Sequence, residues 1–171
     1  MLEKKEKTIA HLLVSLYKRK LSQYIKNNRQ LNSEEICNEY IERFYKYMNS
    51  VDMGVHRGRF TSYLNIFSGL CAYEILRENG LTEEAGINAY NEMCASMRKL
   101  ASIIYKMADW LPNGYAIVVN SLKDDLNGAK TICWDTKILK DDDEGFTYEI
   151  SKCLYFDTCQ EHGYPEFCKV F

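Results

Sequence analysis

The sequence predicts an α+β fold: a mostly helical N-terminal layer packed on a small antiparallel sheet, closed by a short helical C-terminal segment. Apolar residues recur at helical spacing through five successive stretches, and near Ile132 the period changes from 3.6 to 2. Two alternating runs separated by a charged stretch then read as a hairpin, and a Gly-Tyr-Pro-Glu corner follows it. A length of 171 residues suits one domain with a sizeable core. Residues 1–171 are therefore read as a single domain, with a helical part at 1–128 and a sheet and candidate-site segment at 129–171.

The first helix, over residues 5–27, places Ile9, Leu12, Leu13, Leu16, Tyr17, Leu21 and Tyr24 on one stripe, with Lys18, Arg19 and Lys20 on a solvated face. NNRQLN breaks the pattern. Ser33 reads as the cap of a second helix, and Glu34 and Glu35 suit its first turn. That helix carries Ile36, Tyr40, Ile41, Phe44, Tyr47 and Met48, an aromatic stripe suited to a core. VDMGVHRGR, residues 51–59, is punctuated by glycine and reads as a loop in which His56 is solvated. A third helix is expected from about Phe60 to Glu78, stopped by Asn79-Gly80 in the left-handed conformation. Thr82 caps a fourth helix that runs to Trp110, before Pro112-Asn113-Gly114. Tyr115, Val118, Val119, Leu122 and Leu126 mark a fifth, stopped by Asn127-Gly128.

The first alternating run sets Ile132, Trp134, Thr136 and Ile138 on one face; the second does so with Phe146, Tyr148 and Ile150. LKDDDEG between them is a solvated loop. It lacks the glycine and the final glutamate that a calcium-binding loop needs at its sixth and twelfth positions. Two strands alone make a marginal sheet. The hairpin is therefore expected to lean on the helices or on a second subunit of a homo-oligomer, or to gain further strand beyond Phe171.

Composition narrows the function classes. The chain is 46% hydrophobic and 27% charged, with a net charge of −2 and interspersed signs, so nothing in its field recruits nucleic acid or an anionic membrane. No apolar run reaches the roughly 18 residues of a membrane span, and the N-terminus is too polar for a signal peptide. Seven cysteines scattered through apparent helices read as free thiols of a cytoplasmic protein, with Cys37, Cys71 and Cys94 in the core.

The chemistry-bearing residues gather in FTYEISKCLYFDTCQEHGYPEFCKVF, residues 146–171. Cys153 stands where a strand ends and a helix begins, where the helix dipole and unpaired amides favour a thiolate. The alternative is a buried, inert thiol plugging the junction. His162 is the tempting base for Cys153, but nine residues of helix separate the two by roughly 13 Å. Cys159 and His162, at i and i+3, share a face instead. Cys153, Cys159, His162 and Cys168 lack the tight knuckle of a zinc site, so no metal is expected. Gly163 ends one helix and Pro165 opens the next, leaving Glu166 near a helix N-terminus, either as a structural charge or as a carboxylate for a substrate amine or proton.

This segment resembles the signature of the L-2-amino-thiazoline-4-carboxylic acid hydrolase family: strand, Cys-x-Tyr/Phe, short helix, Gly-x-Pro-Glu, then Phe-Cys. Those positions here are Cys153, Tyr155, Gly163, Pro165, Glu166 and Phe171. The family pattern continues with a cysteine and an acidic residue, so the chain is read as a C-terminally truncated member. The resemblance implies a cofactor-independent hydrolase that opens a cyclic amidine to N-carbamoyl-cysteine. It implies Cys153, Glu166 and Tyr155 as catalytic candidates, with His162, Cys159 and Trp134 lining a small-molecule substrate. A thiolate at Cys153 would attack the amidine carbon, or a carboxylate would activate water. The alternative expectation is a non-catalytic domain that binds a small ligand or a partner while keeping the family fold.

Overall fold

The computed structural model describes residues 3–28, 31–52, 57–108, 110–129, 133–142 and 145–171. His56 and Ile132 lie outside them. The architecture is α+β and mostly helical, as the sequence predicts. In order come α1 (Lys4–Asn28), α2 (Ser33–Ser50), a 3₁₀ turn (Arg57–Arg59), α3 (Phe60–Glu78), α4 (Glu83–Ala108) and α5 (Gly114–Ala129). Then follow β1 (Trp134–Asp142), β2 (Gly145–Cys153), α6 (Leu154–Glu161) and a 3₁₀ helix (Pro165–Val170). Two compact units result: residues 1–94 with 158–171, and residues 95–157.

In the first unit α1, α2 and α3 pack against one another. The cap of α2 is Asn32 rather than Ser33. Its side-chain oxygen accepts from the amides of Glu34 and Glu35, while the Ser33 hydroxyl lies 3.0 Å from that of Ser22. The buried stripe of α1 also differs from the expected one. Ala10, Val14, Tyr17, Leu21 and Ile25 face the core, whereas Ile9, Leu12 and Leu16 are 41%, 65% and 42% exposed. This helix is apolar over more than one face, so the packing of α2 and α3 selects which face is buried.

Helix α3 is buried nearly all round, from Leu64 through Leu76. Gly69 lets Tyr90 and Phe167 approach: a Cβ there would stand 2.5 Å and 2.9 Å from their rings. The helix ends as the Asn-Gly pair predicts. Gly80 has φ +90°, and its amide and that of Leu81 reach back to the carbonyls of Arg77 and Leu76. Thr82 caps α4 by accepting from the Ala85 amide at 3.2 Å. The stretch 158–171 completes this unit through Phe167, which is fully buried between Tyr73 and Tyr90.

In the second unit, α5 runs through Asn127-Gly128 to Ala129, past the stop expected there. Glycine lowers helix propensity without by itself ending a helix, and here the helix continues through Gly128. The strands pair antiparallel, with Trp134 opposite Cys153 and Asp142 opposite Gly145. They extend into the charged stretch expected to be a loop, which leaves only residues 143–144 between them. Register shifts occur between Asp135 and Thr136 and between Ile138 and Lys140, and between them Thr136 pairs with Ile150 and Ile138 with Tyr148, as the alternation predicts. Of these four Thr136 is buried, while Ile138, Tyr148 and Ile150 stay exposed.

Candidate functional site

The end of α6 decides where His162 goes. The His162 amide donates to the carbonyl of Thr158, and Gly163, at φ +83°, sends its own amide to Gln160. Tyr164 closes the turn on the Cys159 carbonyl at 2.9 Å. Thr158 and Cys159 are buried beneath this turn, so the imidazole is held by a fixed backbone.

His162 meets a buried carboxylate. Its Nδ1 lies 3.2 Å from Oε1 of Glu74, a residue of α3 that is only 2% exposed. The other carboxylate oxygen, Oε2, accepts from the Tyr47 hydroxyl at 2.7 Å and from Arg43 Nη1 at 3.3 Å. The Tyr47 ring stands edge-on to the imidazole with centroids 4.2 Å apart, and Phe67 closes another side at 5.8 Å. The His162 side chain keeps 23% of its surface in solvent. Among the described residues its Nε2 has no hydrogen-bond partner.

A carboxylate taken out of water is tolerated only when it is paired and hydrogen-bonded. Arg43 supplies the pairing. Its guanidinium grips Glu78 with two bonds, Nη1 to Oε1 at 2.8 Å and Nη2 to Oε2 at 2.6 Å, and also contacts Glu39 one turn earlier on α2. The bond to Glu78 dominates a rise in the Arg43 pKa and a fall in that of Glu78. Burial, followed by the bond to Glu74, pushes the Tyr47 hydroxyl up, so it stays a donor. Burial, and then the nearby Glu74, likewise push the Cys71 thiol well up, which makes it a poor nucleophile.

Beside this network a surface cleft of about 360 Å³ is lined by Glu39, Glu42, Arg43, Lys46, Tyr47 and Glu78. Tyr47 belongs to both: it lines the cleft and its ring touches His162.

The residues singled out in the sequence fall into separate groups. Cys153, Trp134 and Tyr155 belong to the unit of residues 95–157. There Cys153 is half-buried at the last position of β2, opposite Trp134, and the Trp134 and Tyr155 rings are 6.2 Å apart. The Leu154 amide donates to the Cys133 carbonyl at 2.8 Å and ties down the start of α6. Cys159, His162 and Glu166 belong to the helical unit. Cys159 is fully buried, and Glu166 accepts the Tyr73 hydroxyl at 2.8 Å. Among the described residues no group of three histidine, cysteine or acidic side chains is arranged to hold a metal. No described helix is long and apolar enough to cross a membrane.

Sequence reasoning missed Glu74, Arg43 and Glu78. The signal was present: Glu74 is a lone charge inside the apolar run GLCAYEIL, and a charge placed there must find a buried partner. Comparison with family models, with curated proteins and with solved structures returned no match.

Proposed function

We propose that this chain is a small-molecule hydrolase that opens a cyclic amidine of the 2-amino-thiazoline-4-carboxylate type, with His162 as its acid–base group. The observation that carries the reading is the Glu74–His162 pair. A buried carboxylate facing Nδ1 orients an imidazole and leaves Nε2 to exchange protons, the arrangement that general-base catalysis requires. The resemblance of residues 153–171 to the hydrolase signature supplies the substrate class.

In the reaction, water adds to C2 of the amidine while Nε2 of His162 accepts its proton. The C2–S bond then breaks, the sulfur leaves as a thiol carrying that proton, the second proton of the water passes to the ring nitrogen as the C2=N double bond is lost, and the carbon becomes the carbonyl of N-carbamoyl-cysteine. One water is consumed, and no oxidant or cofactor enters. Lys46, which lines the cleft, gives the ring carboxylate a positive partner.

The test is incubation with 2-amino-thiazoline-4-carboxylate, following thiol release colorimetrically and the product by mass spectrometry. The expected result is N-carbamoyl-cysteine formation that drops by roughly 10²–10⁴-fold in His162→Asn. Turnover that His162→Asn leaves intact overturns the assignment of His162.

A second reading is a non-catalytic domain that binds a small ligand or a partner. It is favoured by the use of Glu166, a sequence candidate for catalysis, as an acceptor for Tyr73. Calorimetric binding of the thiazoline without product formation would select it.

A further inference from the structure

We propose that Arg43 is the positioning residue for His162: it anchors the Glu74 carboxylate so that the imidazole is fixed as its Nδ1–H tautomer, with Nε2 left as the proton acceptor. The proposal rests on the assignment of His162 as the acid–base group, but its readout does not depend on turnover.

Glu74 has two oxygens, and their occupancy differs. Oε2 is filled by Tyr47 and Arg43, which leaves Oε1 turned to His162. A single hydroxyl does not fix the rotation of a carboxylate; a second donor on the same oxygen does. Arg43 can be that donor because it is itself immobilised: its side chain is 17% exposed, Glu78 holds it with two parallel bonds and Glu39 braces it from the same helix. The planar fork of a guanidinium serves three carboxylates at once, which one hydroxyl donor does not match.

The charged and titratable groups around the pair come from three elements. Helix α2 supplies Glu39, Arg43 and Tyr47; α3 supplies Cys71, Glu74 and Glu78; and the C-terminal stretch supplies His162 and Tyr164. Arg43 is the cation at the centre of this group. Without it, Glu39, Glu74 and Glu78 face one another uncompensated, and Glu74 is free to turn from His162. An imidazole that loses its carboxylate loses the contact that selects its tautomer.

The experiment is long-range ¹H–¹⁵N NMR of the full chain, which reads the tautomer of each neutral histidine ring. Only His11, His56 and His162 contribute, and the His162 signals are those missing in His162→Asn. The expected result is a dominant Nδ1–H tautomer for His162 in the parent protein and in Arg43→Lys, which keeps a positive charge beside Glu74. In Arg43→Met and Arg43→Gln the signals shift to a mixture in which Nε2–H predominates. Two neutral variants are used so that a folding failure of one, checked by circular dichroism, leaves the other. A folded neutral variant that keeps the parental tautomer overturns the role of Arg43. Glu74→Gln separates this from the reading beneath it. If Glu74→Gln alone loses the tautomer, the Glu74–His162 pair stands without Arg43. If Glu74→Gln also keeps it, the pair does not orient the ring and both ideas fall.

Discussion

Tyr73 donates its hydroxyl to Oε1 of Glu166 at 2.8 Å, and the same ring stacks on Phe167 with centroids 4.7 Å apart. One side chain of α3 thus holds two successive residues of the C-terminal turn, one by a polar contact and one by an apolar contact. Burial, and then Glu166, push the Tyr73 hydroxyl up and keep it a donor. Phe167 is thereby fully buried, while Phe171 stays 46% exposed.

Removing the Phe167 ring should therefore be costly. Phe167→Ala is expected to destabilise the protein by about 3–5 kcal/mol, because the ring is fully enclosed and its neighbours cannot collapse into the space. Urea denaturation checks this, and a loss below about 1 kcal/mol would place the ring outside the cooperative core.

The reverse error is available at Gly69. A Cβ there collides with the Tyr90 ring at 2.5 Å and with the Phe167 ring at 2.9 Å. Gly69→Ala is expected to cost about 1–3 kcal/mol despite the better helix propensity of alanine. A stabilised Gly69→Ala protein would show that the rings move aside freely.

Thiol reactivity should follow exposure. Cys153 and Cys168 are half-buried, while Cys37, Cys71, Cys94, Cys133 and Cys159 are buried. Limited iodoacetamide treatment read by mass spectrometry should modify Cys153 and Cys168 first. Early labelling of Cys71 would contradict both its burial and its raised pKa.

Acid should weaken the Arg43 network at Glu78. The guanidinium holds the Glu78 carboxyl below its usual range, so the folded state binds that proton less readily than the unfolded chain. The contribution is present above the ordinary carboxylate range and is lost as the pH falls through the folded-state value. Thermal melts of the parent and Glu78→Gln should thus differ most near neutrality and converge toward pH 3. A gap that widens on acidification would reverse the sign.

What the sequence disclosed, and what it withheld, follows from range. Asn79-Gly80, Thr82 and Gly163 act within a few residues, and each turn or cap forms where its chemistry requires. The strand–helix junction at Cys153 was legible for the same reason. The buried face of α1 was not, since Ile9, Leu12 and Leu16 are as apolar as the residues that pack, and partner helices decide among them. Of the Glu74 cluster only the lone charge in its apolar run was legible: the cluster joins α2, α3 and the C-terminal turn, and no local spacing records that His162 returns to a charge on α3. Glu166 was a catalytic candidate through the Gly-Tyr-Pro-Glu corner and the resemblance it carries, yet Tyr73, the residue that donates to it, lies on α3.

The helical unit is drawn from two separated stretches, residues 1–94 and residues 158–171. That division sets a timetable. Contacts among α1, α2 and α3 join neighbours along the chain and close quickly, whereas Phe167 must find Tyr73 and Tyr90 across a long loop whose closure costs entropy before any contact repays it. Until the tail arrives, the aromatic slot beside Gly69 is empty and Glu74 has no imidazole before it. The docking of the tail is thus expected to follow the pairing of the helices, because it alone must bridge the distant ends of this unit.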